Sequence, residues 1–88
     1  MKAVKIKKAG GTEVLELQEI TLRKPVKNEV IIEHVAIGLN YIDTYHRSGL
    51  YPLIYPSGLG MEASGIIKEV GSDVTNFSVG DKVAYASV

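Results

Sequence analysis

The residues most able to do chemistry lie together in GLNYIDTYHRSGLYP, residues 38–52. This stretch holds an amide at Asn40, a carboxylate at Asp43, an imidazole at His46 and three phenols at Tyr41, Tyr45 and Tyr51. An amide and a carboxylate three residues apart can orient a polar ligand and accept its hydroxyl hydrogens. Phenols offer a flat apolar face with a donor at the rim. The same residues also read as plain helix chemistry. Asn40 suits an N-cap, Asp43 falls at the third helical position where a carboxylate favours the amide-rich end, and Gly49 suits the left-handed residue that stops a helix. Tyr41 and Tyr45 then share one face, with Ile42 and His46 on the next. Capping and packing account for the segment on physics alone, and a pocket role stands open beside them.

Other chemical motifs are weaker. GLGMEA, residues 58–63, has the letters of a dinucleotide fingerprint, but that motif needs a strand before it and a helix after it. Here YPS precedes and SGIIKEV follows, so it reads as a tight loop with close backbone packing. His34 falls within a strand pattern and His46 near a helix end. Neither has a second histidine at the spacing that shares a metal face, and neither has a nucleophile that sequence places beside it.

The elements that must hold these residues are short and mostly extended. In MKAVKIKK, Val4 and Ile6 alternate with Lys5 and Lys7, the period of a half-buried strand whose lysines are its solvated face. AGGT supplies a reversal, and EVLELQEITL returns with Leu15 and Leu17 on one face and Glu16 and Gln18 on the other. RKPVKNE interrupts it. EVIIEHVAIG carries apolar residues on both faces and reads as a central strand covered on both sides. ASGIIKEVG and DKVAYASV are two further strands, separated by turn residues in SDVTNFSVG. The helix at residues 41–48 is about two turns, too short to stand without tertiary contacts. The fold class is mainly β with one or two short helices.

Composition narrows the classes of function. At 88 residues the chain can bury only about 60–65% of the surface it exposes when unfolded, so its core is thin. Ten basic residues balance ten acidic ones, which argues against nucleic acid as a partner. There is no cysteine, which excludes disulfides and thiolate metal sites and fits a reducing compartment. No apolar run approaches the roughly 20 residues that span a bilayer, and MKAVKIKKAGG is not a signal segment. The expectation is a cytoplasmic chain with no membrane partner.

AIGLNYIDTYHRSGLYP followed by PSGLGMEASGIIKEVGSDVTNFSVGDKVAY resembles the N-terminal part of the medium-chain dehydrogenase/reductase superfamily, in its quinone oxidoreductase branch. The likeness runs through essentially the whole chain. It implies that residues 1–88 are the N-terminal part of a GroES-like catalytic domain, a partly open β-barrel that is incomplete here. It also implies that the Rossmann domain that binds NADPH lies outside these residues. Zinc-dependent relatives carry a cysteine ligand where this chain has Asn40 and a histidine where it has Met61. An amide oxygen and a thioether are poor substitutes at such a site, so no metal is expected.

By the same resemblance, Asn40 and Asp43 would face the nicotinamide and its ribose. Tyr45 and Tyr51 would line the side of a small quinone or activated alkene, with Tyr41 and Tyr55 left to packing or the rim. The 88-residue chain alone is expected to be inactive, and to associate with itself or with a complementary chain. The non-catalytic alternative is a β-barrel relic or interaction module without cofactor.

Overall fold

The computed structural model describes residues 1–87. In chain order the elements are β1 (Lys2–Ile6), a 3-10 turn (Thr12–Val14), β2 (Glu16–Glu19), β3 (Val30–Ile37), α1 (Tyr41–Ser48), β4 (Ser57–Gly58), β5 (Glu62–Val70) and β6 (Lys82–Ala86). The strands form two open three-stranded antiparallel sheets, ordered β2-β1-β4 and β3-β5-β6. Mainly β with one helix is therefore the observed class. The residues group into two compact units, Met1–Thr21 with Leu39–Met61, and Leu22–Gly38 with the residues from Glu62 onward.

In the first unit β1 and β2 pair as expected, with Val4 opposite Leu17 and Lys5 opposite Glu16. The reversal is not a tight AGGT turn, because the chain passes through the 3-10 turn first. That turn carries Val14 into the core, at 6% exposed. Leu15 and Leu17, the apolar residues of the returning segment, are exposed. Gly10 permits this, since a Cβ there would come within 2.6 Å of Val14 Cγ1. On β1 only Ile6 is fully buried, while Val4 stays exposed. β4, two residues along the far edge of β1, has no signal in the sequence. Gly58 and Gly60 do not pack closely against backbone, because a Cβ at either meets open space. Only Gly60 needs its glycine for conformation, at φ +107°.

In the second unit the central strand is β5, not β3. Among the described residues β3 is paired along one edge only, and Val35 is 74% exposed. Two β-bulges interrupt the pairing of β3 with β5. Ile31 opposes Glu69 and Ile32 opposes Ile67, leaving Lys68 extra on β5. His34 opposes Gly65 and Ala36 opposes Ser64, leaving Val35 extra on β3. Each bulge flips the alternation of faces beyond it. Residues directly opposite each other share a face, so Val30, Ile32, His34 and Ile37 share one with Ala63, Gly65, Ile67, Val83 and Tyr85. The far end of β3 thereby changes face: Ile37 joins Val30 and Ile32, while Ile31 and Ala36 stand on the opposite face. Ala63 and Ile67 form its buried centre, with Ile67 only 1% exposed.

The loop before β3 is held by Glu29. Its carboxylate accepts from Arg23 Nη1 at 2.6 Å and Nη2 at 2.9 Å, and from the Val26 N–H at 3.1 Å. The Arg23 hydrogen bond, aided by that of Val26, lowers the Glu29 carboxyl from 4.5 to about 2. A group whose pKa falls on folding stabilises the native state above its unfolded pKa, and that contribution fades as pH drops through the folded value. The stability gap between the wild-type chain and Glu29→Gln is therefore expected to be full above pH 4.5 and to close toward pH about 2. Urea titrations across that range test this, and a pH-independent gap would assign the difference to packing.

Candidate functional site

The helix at residues 41–48 forms as its sequence dictates, with Asn40 at the N-cap and Asp43 three residues on. Asn40 is in extended conformation at the cap position, in a capping-box arrangement with Asp43. The bonds that close it are the Asn40 N–H to Asp43 Oδ2 at 3.0 Å and the Asp43 N–H to the Asn40 carbonyl at 3.0 Å. The Asn40 side chain closes no cap hydrogen bond. The carboxylate carries the cap, the Asn40 side chain turns toward the Asp43 N–H without closing a full hydrogen bond, and its exposed NH2 group is left over.

Asp43 is 6% exposed, the one buried charged residue among those described. Its Oδ2 is engaged at the cap, while Oδ1 is buried with no hydrogen-bond partner. A buried acceptor without a donor costs roughly 1–3 kcal/mol, so Oδ1 is open to a donor that these residues do not supply, a water or a ligand hydroxyl.

The helix ends at Gly49, whose φ of +86° is the left-handed cap read from the sequence. The Tyr45 carbonyl accepts from the Gly49 N–H at 3.1 Å and the Tyr51 N–H at 3.2 Å. This folds Tyr51 back beside Tyr45, with ring centroids 5.4 Å apart at 75°. Tyr41 stands 5.5 Å from Tyr45, and His46 stands 6.2 Å from Tyr51. The edge-to-face geometry suits aromatic quadrupoles. The structure thus brings together Tyr45 and Tyr51, joins Asn40 to Asp43, and adds His46, which the sequence offered only as a doubtful ligand. Tyr41 is largely exposed.

Two features escaped the sequence. The Tyr55 hydroxyl is buried with no partner, and nothing in local spacing marks it. In the second unit His34 Nε2 lies 3.1 Å from Tyr85 Oη, a pairing created by strand register. Among the described residues no three His, Cys, Asp or Glu side chains are grouped to hold a metal, and no helix is long and apolar enough to cross a membrane. GLGMEA runs from β4 into β5 with no helix after it, so it offers no helix N-terminus for a pyrophosphate.

Comparison with known proteins gives a consistent result. Residues 26–88 match the alcohol dehydrogenase GroES-like domain family. Quinone oxidoreductase 1 of Escherichia coli is 52% identical over 84 residues, which is 94% of this chain and 26% of that protein. A 2-haloacrylate reductase of a Burkholderia species is 39% identical over 92% of this chain and 26% of its own length. The crystal structure of E. coli quinone oxidoreductase complexed with NADPH superposes with a TM-score of 0.96 at 50% identity, covering 99% of this chain and 27% of that one. The chain spans about a quarter of the length of these relatives. Because the family match takes in well over half of its residues, the chain belongs to the alcohol dehydrogenase GroES-like domain family, within the medium-chain dehydrogenase/reductase superfamily.

Proposed function

We propose that these residues are the N-terminal part of the catalytic domain of an NADPH-dependent, zinc-independent quinone oxidoreductase, whose acceptor is a quinone or activated alkene. The observation that carries this is the 52% identity to a quinone oxidoreductase over 94% of the chain. The buried, unpartnered Asp43 Oδ1 fits the cofactor, since it accepts from a hydroxyl such as that of a ribose. Asn40 supports the same reading, with an amide that capping leaves free to orient a carboxamide.

Bound NADPH would supply a hydride to the acceptor. Tyr45 and Tyr51 hold a flat acceptor against their rings and present a phenolic hydrogen to an oxygen that gains charge, the preorganised donor such a reaction needs. Asn40 and Met61 stand where zinc-dependent relatives place ligands, and neither is suited to zinc.

The test is to put residues 1–88 in place of the corresponding part of E. coli quinone oxidoreductase 1. NADPH oxidation with a soluble quinone is expected to stay within about tenfold of the parent, with no stoichiometric zinc in the purified protein. A folded but inactive hybrid would reject the proposal. In that hybrid Asn40→Ser is expected to weaken NADPH binding about tenfold, the worth of one hydrogen bond, without moving the melting temperature. Unchanged affinity would leave Asn40 with no cofactor role.

A second reading rests on the edge of β3 that is unpaired among the described residues and on the exposed Val35 and Ile37 beside it. Such an edge invites pairing with another strand, from a second copy or a complementary chain. Light scattering of the 88-residue chain tests the pairing with a second copy, which a monomer at all concentrations removes.

A further inference from the structure

Something must hold a two-turn helix in place, because a segment that short is not stable alone in water. At the C-terminal end of α1 the Gly10 N–H donates to the Arg47 carbonyl at 2.9 Å, and Arg47 Nε donates back to the Gly10 carbonyl at 3.2 Å. The two bonds tie one residue of the helix to one residue of the loop after β1. Around them the fit is close. A Cβ on Gly49 would lie 2.9 Å from the Ala9 Cβ, and Gly10 is backed by the buried Val14. The loop itself leaves β1 just after Ile6, which is fully buried. The chain of support therefore runs from the core strand through Gly10 to Arg47. From there it reaches the last turn, where the Tyr45 carbonyl holds Gly49 and Tyr51.

We propose that Arg47 is the positioning residue of the tyrosine cluster: its Nε bond to Gly10 fixes the end of α1 and thereby the mutual orientation of Tyr45 and Tyr51. The functional half of this rests on the acceptor role assigned above to those tyrosines. Among the described residues the Arg47 guanidinium forms no salt bridge, and its side-chain hydrogen bond is the one from Nε. The essential element is one N–H donor four bonds out from Cα.

That geometry supplies its own control. Glutamine places its amide nitrogen where arginine has Nε, and methionine places a methyl group there. Both substitutions remove the charge, and of the two only glutamine keeps a donor at that point. The chain has five tyrosines and no tryptophan, and four of those tyrosines belong to the unit that contains α1. Near-ultraviolet circular dichroism of the 88-residue chain therefore reads the cluster directly. Arg47→Met is expected to lose about half or more of the tyrosine band while far-ultraviolet strand signal persists, and Arg47→Gln to keep most of it. If the two variants match, whether both keep the band or both lose it, the proposal is overturned.

In a full-length enzyme carrying these residues, Arg47→Met is expected to lower kcat/KM for the quinone about tenfold, with NADPH Kd within about twofold and recovery by Arg47→Gln. A change in NADPH Kd with kcat/KM for the quinone intact would place Arg47 on the cofactor side and defeat the proposal. Absence of quinone turnover with the native residues, alongside the expected dichroism, would instead defeat the functional reading and leave the positioning role standing.

Discussion

Gly65→Ala is expected to destabilise the second unit by about 3 kcal/mol or more, the upper range for forcing atoms into a packed site. Gly65 lies in the central strand β5, between His34 of β3 and Val83 of β6. A Cβ there would overlap the Glu33 carbonyl oxygen and come within 2.8 Å of Ile32 Cγ2 and 2.9 Å of the Glu33 carbonyl carbon. Backbone held in a ladder cannot move aside as a side-chain tip can. A small domain has only about 5–15 kcal/mol in total, so the change removes a large share of it. The control is Gly58→Ala in β4, where a Cβ meets nothing within 4 Å and the effect should fall within about 1 kcal/mol. Urea unfolding followed by circular dichroism measures both. Equal midpoints for the two variants would show that β3 and β5 approach less closely than described.

The second large effect concerns Asp43, where stability and binding separate. Asp43→Ala removes the acceptor that takes the Asn40 N–H and should cost about 1–2 kcal/mol, the range for a lost helix cap. Asp43→Asn keeps an acceptor for that bond and should recover most of the loss. Binding is expected to respond differently. If Oδ1 accepts from a cofactor hydroxyl, both variants in the full-length hybrid weaken NADPH by about tenfold or more, because a charged acceptor is worth about 1.5–3 kcal/mol and a neutral amide less. Full affinity in a stable Asp43→Asn hybrid would confine Asp43 to capping.

Much of this was readable from residue types because it depends on local rules. Asn40, Asp43 and Gly49 bracket the helix by backbone chemistry that neighbours alone enforce, and β1, β5 and β6 follow from short-range alternation. The reading failed where the outcome depended on pairing across the sheet. The bulges at Val35 and Lys68 arise only when β3 and β5 meet, so a period-2 count through EVIIEHVAIG assigns its far end to the wrong face. The 3-10 turn exchanged Leu15 for Val14 in the core for a related reason, since a small shift in where the chain reverses decides which neighbour turns inward. At the site, capping and ligand binding draw on the same residue types. What separates them is one oxygen of Asp43 occupied and the other not, which no sequence displays.

The paired irregularities in β3 and β5 also bear on how this sheet can change length over evolutionary time. Each surplus residue has no partner opposite it, so excising Val35 or Lys68 leaves every remaining cross-strand match and every inward or outward orientation as it was. Losing a paired residue such as Ile66 would instead turn the rest of that strand inside out. Homologues one residue shorter are therefore expected to place their alignment gaps at these two points, and a Val35 deletion should fold where an Ile66 deletion does not.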